Sequence, residues 1–422
     1  MSLHVLLAGP IAGEELRPWL QLPEGAALPA GYLGAPLMAI LVGELLRLGH
    51  RVTALTNDHL LPWAEGPRRF HGPGLSFIVC PARRRAWRPN GWLPGRIVDL
   101  FAHERRLLAA EMRAAAPDIV NAHWTYEFAL AGLDQPAPLL VTCHDAPTVV
   151  LRYTRSPYRA MRWLMARQVF RRAHHFTTVS DYMVRELAPA IGQEPAVVPN
   201  PVAPYVLALG RVRSLPASRR VAMVCNGWDR LKNPEPALRA FAQWRRAEPT
   251  AELHVFGADF GPGERAAAWA AAEGLAEGIH FHGQMLHRAL VQNLSQMDAL
   301  LHPSLEESFG VVIAEAMALG LPIVAGRYSG AVPWVLGWQA SGPNAGLLVD
   351  PREPAALSEA LTRLFDHDYE ARSRRGVGRS AAFTATSVCQ QYLGHYARVT
   401  GQSPTEKPVT HSPSLSSSRV AR

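Results

Sequence analysis

Two carboxylates, Glu307 and Glu315, stand eight positions apart in the run HPSLEESFGVVIAEAMALGLPIVA, residues 302–325. A short apolar strand reads up to His302-Pro303. A polar turn with Glu306, Glu307 and Ser308 follows, and Phe309-Gly310 opens a helix that carries Glu315. In an open parallel sheet, ligands bind outside the carboxyl ends of the strands, where the next helix presents unpaired N–H groups. Those amides suit sugar hydroxyls or phosphate oxygens. Eight helical residues make about two turns, so the two carboxylates could hold different hydroxyl-bearing parts of one elongated ligand. A bare pair of Glu at this spacing equally describes a solvated helix face, and the surrounding residues have to decide. Asp366-His367-Asp368 spells a DxD string, but it ends a C-terminal helix away from any strand end and reads as a surface cluster. His123 and His144 each end an apolar strand, where a lone histidine is more often structural.

The elements that must position these groups alternate short β-branched runs with longer helical ones, the pattern of βαβ units and parallel sheets. Strands are predicted at His4–Ala8, Arg51–Thr56, Leu75–Cys80, Asp118–Ala122, Leu139–Cys143 and Phe176–Val179. Helices are predicted over Ala35–Leu48, Ile97–Ala115 and Tyr158–Arg172, with a further one from Ser180, whose hydroxyl suits an N-cap. Two prolines around Asn200 end regular structure. The alternation then restarts, with strands at Val221–Cys225, Glu252–Phe256, Ile279–His282, Ala299–His302, Pro322–Ala325 and Gly346–Val349. Helices at Pro236–Arg246, Glu264–Gly274, Ala289–Ser295, Val311–Leu319, Glu353 to about Phe365, and Val388–Arg398 complete the second half. The tail from Gly401 is rich in Ser, Pro and Thr and has too little apolar surface to offset its ordering entropy.

With these elements in place, the acidic run resembles the E-x7-E signature of the retaining glycosyltransferases of family 4. Pro303-Ser304, Glu307, Ser308, Phe309-Gly310, Glu315-Ala316-Met317-Ala318 and Gly320-Leu321-Pro322 match its elements in order. The resemblance implies an α/β chain of the GT-B fold, two doubly wound Rossmann-like domains facing across a cleft. The implied boundaries are 1–200 for an acceptor-side domain and 201–382 for a nucleotide-sugar donor domain. A C-terminal helix at 383–400 could return to the first domain, and 401–422 would be a disordered tail. It also implies that Glu307 contacts the donor hexose, that the backbone of Ser308, Phe309 and Gly310 binds its hydroxyls, and that Glu315 grips the ribose. Gly31 and Gly34 resemble the glycine loop that approaches the donor diphosphate, and glycine lets backbone N–H groups come close to phosphate oxygens. Thr142-Cys143-His144-Asp145 is similar to the motif whose histidine lies beside the reacting sugar, so His144 joins Glu307 as a catalytic candidate; His123 does not. Lys232 looks like the lysine that neutralises the leaving diphosphate, a charge the reaction needs because negative charge builds on the phosphate. Trp228 stands where the family has arginine, leaving Arg230 as the candidate second cation.

The implied reaction moves a sugar from a nucleotide-sugar co-substrate to a sugar or lipid-linked hydroxyl acceptor, in polysaccharide or glycolipid synthesis. It retains configuration and needs no metal and no further cofactor. The rival readings are a degenerate nucleotide-sugar-binding protein without turnover, motivated by Trp228, and a nucleotide-sugar epimerase on the same fold.

Composition sets the outer bounds. The 422 residues exceed one ordinary core, and 48% hydrophobic with 18% charged residues is a globular balance. The formal charge of +8 suits an anionic partner or reflects a coding bias towards Arg. No nucleic-acid-reading module is recognised. Tyr153–Arg172 interleaves arginines with apolar residues and could lie on an anionic membrane or bury its apolar face. Arg83–Arg88 forms a second basic loop on the same half. No stretch reaches the roughly 18 apolar residues of a membrane span, and Cys80, Cys143, Cys225 and Cys389 have no metal or disulfide spacing. The expectation is a cytoplasmic protein that could bind peripherally at the inner face of the membrane.

Overall fold

Buried β-branched runs separated by amphipathic segments build two sheets in succession. The computed structural model describes residues 2–32, 36–338 and 344–401. The first half runs β1 (His4–Ala8), α1 (Gly13–Leu16), α2 (Leu37–Arg47), β2 (Arg51–Asp58), β3 (Arg68–Gly72), β4 (Leu75–Pro81), α3 (Ala102–Ala115), β5 (Ile119–His123), α4 (Glu127–Gly132), β6 (Leu139–Cys143), α5 (Pro147–Thr154), α6 (Pro157–Arg172), β7 (His175–Thr178), α7 (Asp181–Ile191) and β8 (Ala196–Val197). Its sheet order is β3-β4-β2-β1-β5-β6-β7-β8, parallel except for β3, which pairs antiparallel with β4 across the Pro73-Gly74 turn. Central β1 sends Leu6 and Ala8 into one apolar layer and Val5 and Leu7 into the other. A strand buried on both faces is what a parallel sheet requires.

The second half runs α8 (Pro204–Leu207), β9 (Arg220–Val224), α9 (Pro234–Arg245), β10 (Glu252–Phe256), α10 (Arg265–Ala272), β11 (Ile279–Gly283), α11 (His287–Leu294), β12 (Ala299–His302), α12 (Val311–Ala318), β13 (Ile323–Gly326), α13 (Val332–Val335), β14 (Gly346–Val349), α14 (Pro354–Asp366), α15 (Tyr369–Ser380) and α16 (Ala385–Thr400). All six strands are parallel in the order β11-β10-β9-β12-β13-β14. Both sheets are therefore doubly wound. Their direction of winding reverses between β1 and β5 in the first and between β9 and β12 in the second, which is where crevices open at the carboxyl ends.

One apolar cluster includes residues of both halves, among them Val141, Val179 and Met183 of the first and Phe309, Ile313 and Met317 of the second. The Val202 N–H donates to the Phe383 carbonyl at 2.7 Å. The chain then returns in α16, whose N-cap Thr384 hydroxyl accepts from Ser387 N–H. The Tyr396 hydroxyl reaches back to Asn121 Oδ1 in β5 at 2.8 Å.

Several expectations change in three dimensions. The helix predicted from Ile97 begins only at Ala102, because Leu100 and Phe101 take left-handed φ of 53° and 62°. Asp99 instead binds Arg83, whose guanidinium is buried between Asp99 and Glu104 at 2.8 and 2.6 Å. The basic loop thus begins as an internal ion cluster, leaving Arg84, Arg85 and Arg88 outside. In α6 the residues Met165, Ala166, Val169 and Phe170 are buried in the first half, while Leu164 is exposed. Arg162 is buried too, 2.9 Å from Glu127 and 3.7 Å above the Tyr126 ring. Ser180 caps α7 as expected, accepting from Met183 N–H at 3.3 Å. All four cysteines are buried. Among the described residues no helix is long and apolar enough to cross a membrane. The predicted disordered tail lies outside the described residues apart from Gly401.

Candidate active site

The switch point of the second sheet gathers the acidic run and the lysine. Loops leaving neighbouring strands β9 and β12 must lie side by side, and Asn233 fastens them. Its left-handed φ of 52° delivers Pro234 to the first turn of α9. Its amide donates to the carbonyls of Pro303 and Pro351 at 3.1 and 2.8 Å. Lys232, whose N–H is held by Asp229 at 2.8 Å, then extends its ammonium to Glu307 Oε1 at 2.7 Å. His302 Nε2 stands 3.4 Å from the same oxygen. Burial pushes the Glu307 carboxyl up, but the Lys232 charge and the His302 contact outweigh it and hold the group well below the usual carboxylate range. Lys232 is the mirror image: burial lowers it, and Glu307 raises it by more. Both groups are ionised at neutral pH.

The loop from Glu307 runs directly into α12. Gly310 sits at its N-cap with φ 83°, a left-handed conformation that a side chain would strain. Phe309 is buried at 2% exposure, and its ring packs edge-on against Phe383 5.3 Å away, so only its backbone faces the crevice. The N–H groups of Ser308, Phe309 and Gly310 have no protein acceptor among the described residues. Glu315 is buried further along the helix and bonds His287 Nε2 at 2.7 Å. The other nitrogen of His287 meets the Tyr205 hydroxyl at 2.6 Å. Burial lowers the His287 imidazole, but Glu315 more than reverses that and raises it.

The first sheet answers with histidines at its own switch point. His144 Nε2 lies 2.8 Å from His123 Nδ1, with the rings stacked. Burial pushes His144 down to about 4 and lowers His123 strongly as well, with His144 adding to the effect. Both imidazoles are neutral at pH 7. Tyr126 donates to Asp145 at 2.6 Å beside them. The halves touch where the Ser180 hydroxyl donates to the Ser308 carbonyl at 2.7 Å. Close by, burial pushes the Glu306 carboxyl up to about 7 despite its bond from the Tyr182 hydroxyl.

Of the residues singled out from sequence, Lys232 and Glu307 are in contact, Ser308, Phe309 and Gly310 continue from them, and Glu315 projects from the same helix. Among the described residues no hydrogen bond or ion pair joins His144 to that group; its polar partner is His123. Gly34 lies outside the described residues. Its neighbour Gly31 has φ 65° and is held by Asp58, and an added Cβ would meet Ile11 O at 2.3 Å. Arg230 is exposed and shares no bond with Lys232 or Glu307. Trp228, in the place of the family arginine, is 7% exposed and packs on Trp269 and Phe260 at 5.1 and 5.8 Å. It is a core residue, not a substitute ligand. Asp366-His367-Asp368 joins α14 to α15 on the surface. Sequence reasoning missed His302, His287, Tyr205 and Glu306. His302 ends β12 and Glu306 follows it in the loop, whereas Tyr205 lies in α8 and His287 opens α11, and no local signal ties either of these to Glu315.

Residues 37–205 match the family described as Glycosyltransferase Family 4, and residues 218–367 match that described as Glycosyl transferases group 1. The chain is 28% identical over 328 residues to the D-inositol 3-phosphate glycosyltransferase of Acidothermus cellulolyticus, covering 71% of this chain and 72% of that one. Among solved structures, sucrose-phosphate synthase from Thermosynechococcus elongatus superposes with a TM-score of 0.72 at 20% identity, covering 94% of this chain and 99% of its own. The Anabaena protein HepE, solved with UDP and glucose, superposes with a TM-score of 0.63 at 17% identity, covering 94% and 99%. Two sheets reversing at facing switch points, with family matches across both halves, make the chain a member of the family-4 glycosyltransferases of GT-B type.

Proposed function

We propose that this glycosyltransferase moves a hexose from a nucleotide-sugar donor to a hydroxyl of a sugar or lipid-linked acceptor with retention of configuration, its donor lying across the β9–β12 switch point. The observation that carries the reading is the Lys232–Glu307 contact at 2.7 Å, beside the unpaired N–H groups that open α12. An ionised Glu307 only accepts hydrogen bonds, which suits sugar hydroxyls. Glu315 offers its carboxylate to ribose hydroxyls while His287 holds it in place. The pyrophosphate fits the positive end of α12 and the Lys232 ammonium.

In the transfer, the acceptor oxygen bonds to the anomeric carbon as the bond from that carbon to the donor phosphate breaks. The acceptor proton passes to the departing phosphate oxygen, giving a glycoside and a nucleoside diphosphate. Lys232 offsets the charge that grows on the leaving group. His144, neutral at pH 7, orients a sugar hydroxyl through a hydrogen bond rather than giving up a proton. These steps use no metal and no cofactor beyond the nucleotide sugar.

The rival of donor binding without turnover draws on the inward-packed Trp228 and exposed Arg230, neither of which joins Lys232 in a phosphate clamp. A panel of nucleotide sugars tested by thermal shift and by nucleoside-diphosphate release, with the product anomer read by NMR, decides between them. Binding without release under every acceptor condition supports the rival, and an inverted product removes retention. A lipid-linked acceptor would find exposed Trp87 and Trp92 near Arg84, Arg85 and Arg88 as a membrane-facing patch. Co-sedimentation with anionic but not neutral vesicles checks that part.

A further inference from the structure

A group of metal-ligating side chains lies on the open edge of the second sheet, outside the proposed donor site. Strand β11 is the edge strand and pairs in parallel register with β10, His254 opposite His280. Strand alternation places Glu252 and His254 on one face of β10, and His280 and His282 on the same face of β11. The ligand atoms of Glu252, His254 and His280 all lie within 4.8 Å of one another. His254 Nε2 is 3.2 Å from one Glu252 oxygen, and His280 Nε2 is 3.8 Å from the other. The rings of His254 and His280 stack at 4.7 Å.

A fourth residue completes the arrangement. His282 Nε2 lies 3.0 Å from His254 Nδ1. Without metal, His254 donates from Nε2–H to the Glu252 carboxylate and its Nδ1 accepts from His282; an ion replacing the Nε2 proton leaves Nδ1–H to donate to His282. Metal-bound histidines nearly always have their second nitrogen held in this way. Arg220, paired with Glu252 across β9 and β10, has its Nε 3.7 Å from Asp298. These residues sit at the amino-terminal part of β10 and along the edge strand, whereas Lys232 and Glu307 sit beyond the carboxyl ends of β9 and β12.

We infer that Glu252, His254 and His280 form a binding site for a borderline divalent transition ion of the zinc class, with His282 as the positioning residue. Two imidazoles and one carboxylate are a donor set that suits Zn²⁺, Ni²⁺ or Cu²⁺ and disfavours Mg²⁺ and Ca²⁺. Ligand-to-metal distances of about 2.0–2.2 Å require these atoms to close by a few tenths of an ångström to about an ångström. His280, exposed on the edge strand, can make that movement towards Glu252 and His254, which are half-buried on β10. The bound ion would staple β11 to β10.

The test uses the full chain, stripped with chelator and titrated with Zn²⁺ by calorimetry, with Co²⁺ absorption as a report on ligand geometry. One equivalent should bind, and Mg²⁺ should not compete. His280→Ala should abolish that binding, and His282→Ala should weaken it about 10–100-fold. His367→Ala, at the surface DxD string, should leave it unchanged. His280 is exposed, and the melting temperature of each variant without metal checks that it folds. No stoichiometric binding by the wild type, or binding by His280→Ala equal to it, overturns the inference. So does binding that His367→Ala weakens as much as His280→Ala.

Discussion

Replacing Lys232 with alanine strips the ammonium from a carboxylate that is only 16% exposed, Lys232 itself being 25% exposed. Removing one partner of a fully buried pair costs about 3–5 kcal/mol. With this much residual solvent contact, about 2 kcal/mol is a fair magnitude. In a domain of this size that corresponds to a fall of roughly 4–8 °C in melting temperature. The pH dependence follows from the two shifts. Glu307 is depressed, so its contribution is present above the unfolded carboxylate value of about 4.3 and is lost as pH falls below it. Lys232 is raised, so its contribution is present below about 10.4 and is lost as pH rises beyond that. The deficit of Lys232→Ala should therefore be flat from about pH 5 to 9 and shrink in acid, because wild type then loses the same pair. Adding Glu307→Gln should restore much of the lost stability, since no unpaired charge remains. Turnover should fall by about 10²–10³ in Lys232→Ala, whether or not Glu307→Gln is present. A melting temperature within a degree of wild type, or nucleoside-diphosphate release within tenfold of it, would refute the reasoning.

Three further outcomes follow from the same geometry. Glu315→Ala should erase the thermal shift given by the preferred donor, and it leaves His287 facing an empty position; a shift equal to wild type removes Glu315 from the donor site. Arg162→Ala should cost about 3–5 kcal/mol, because Glu127 is left buried and unpaired, as read by denaturant unfolding of the first half. His144 is held down to about 4, so it takes up its proton on unfolding, and that contribution to stability is lost as pH falls below about 6.5. His144→Asn should accordingly flatten the fall in melting temperature between about pH 6.5 and 4, while the rate profile of the wild type between pH 6 and 8 should show no step from this residue.

Much of the architecture is legible in the residues because it is local. Strand β10 is bounded by turn signals, Ser180 carries its own capping hydroxyl, and the E-x7-E run keeps turn, glycine and helix within one short segment. What depends on partners distant in the chain is not legible. The antiparallel β3 and the late start of α3 depend on where Arg69 finds Glu111 and Arg83 finds Asp99. Arg162 reads as a surface charge until Glu127 and Tyr126 close around it. Trp228 reads only as a departure from an arginine until Trp269 and Phe260 surround it and make it a core residue.

The sequence by itself determined two restarts of the same strand–helix alternation, and with them the position of each chemical group at a strand end. Only the tertiary structure decided which ends meet. Lys232 and Glu307 are 75 residues apart and touch because β9 and β12 are neighbours where the winding reverses. His123 stacks on His144 because β5 and β6 are paired, and three imidazoles share an edge because β10 and β11 align His254 with His280. Hydrophobic periodicity is set within a few residues of chain, whereas strand order is set by which apolar faces bury each other.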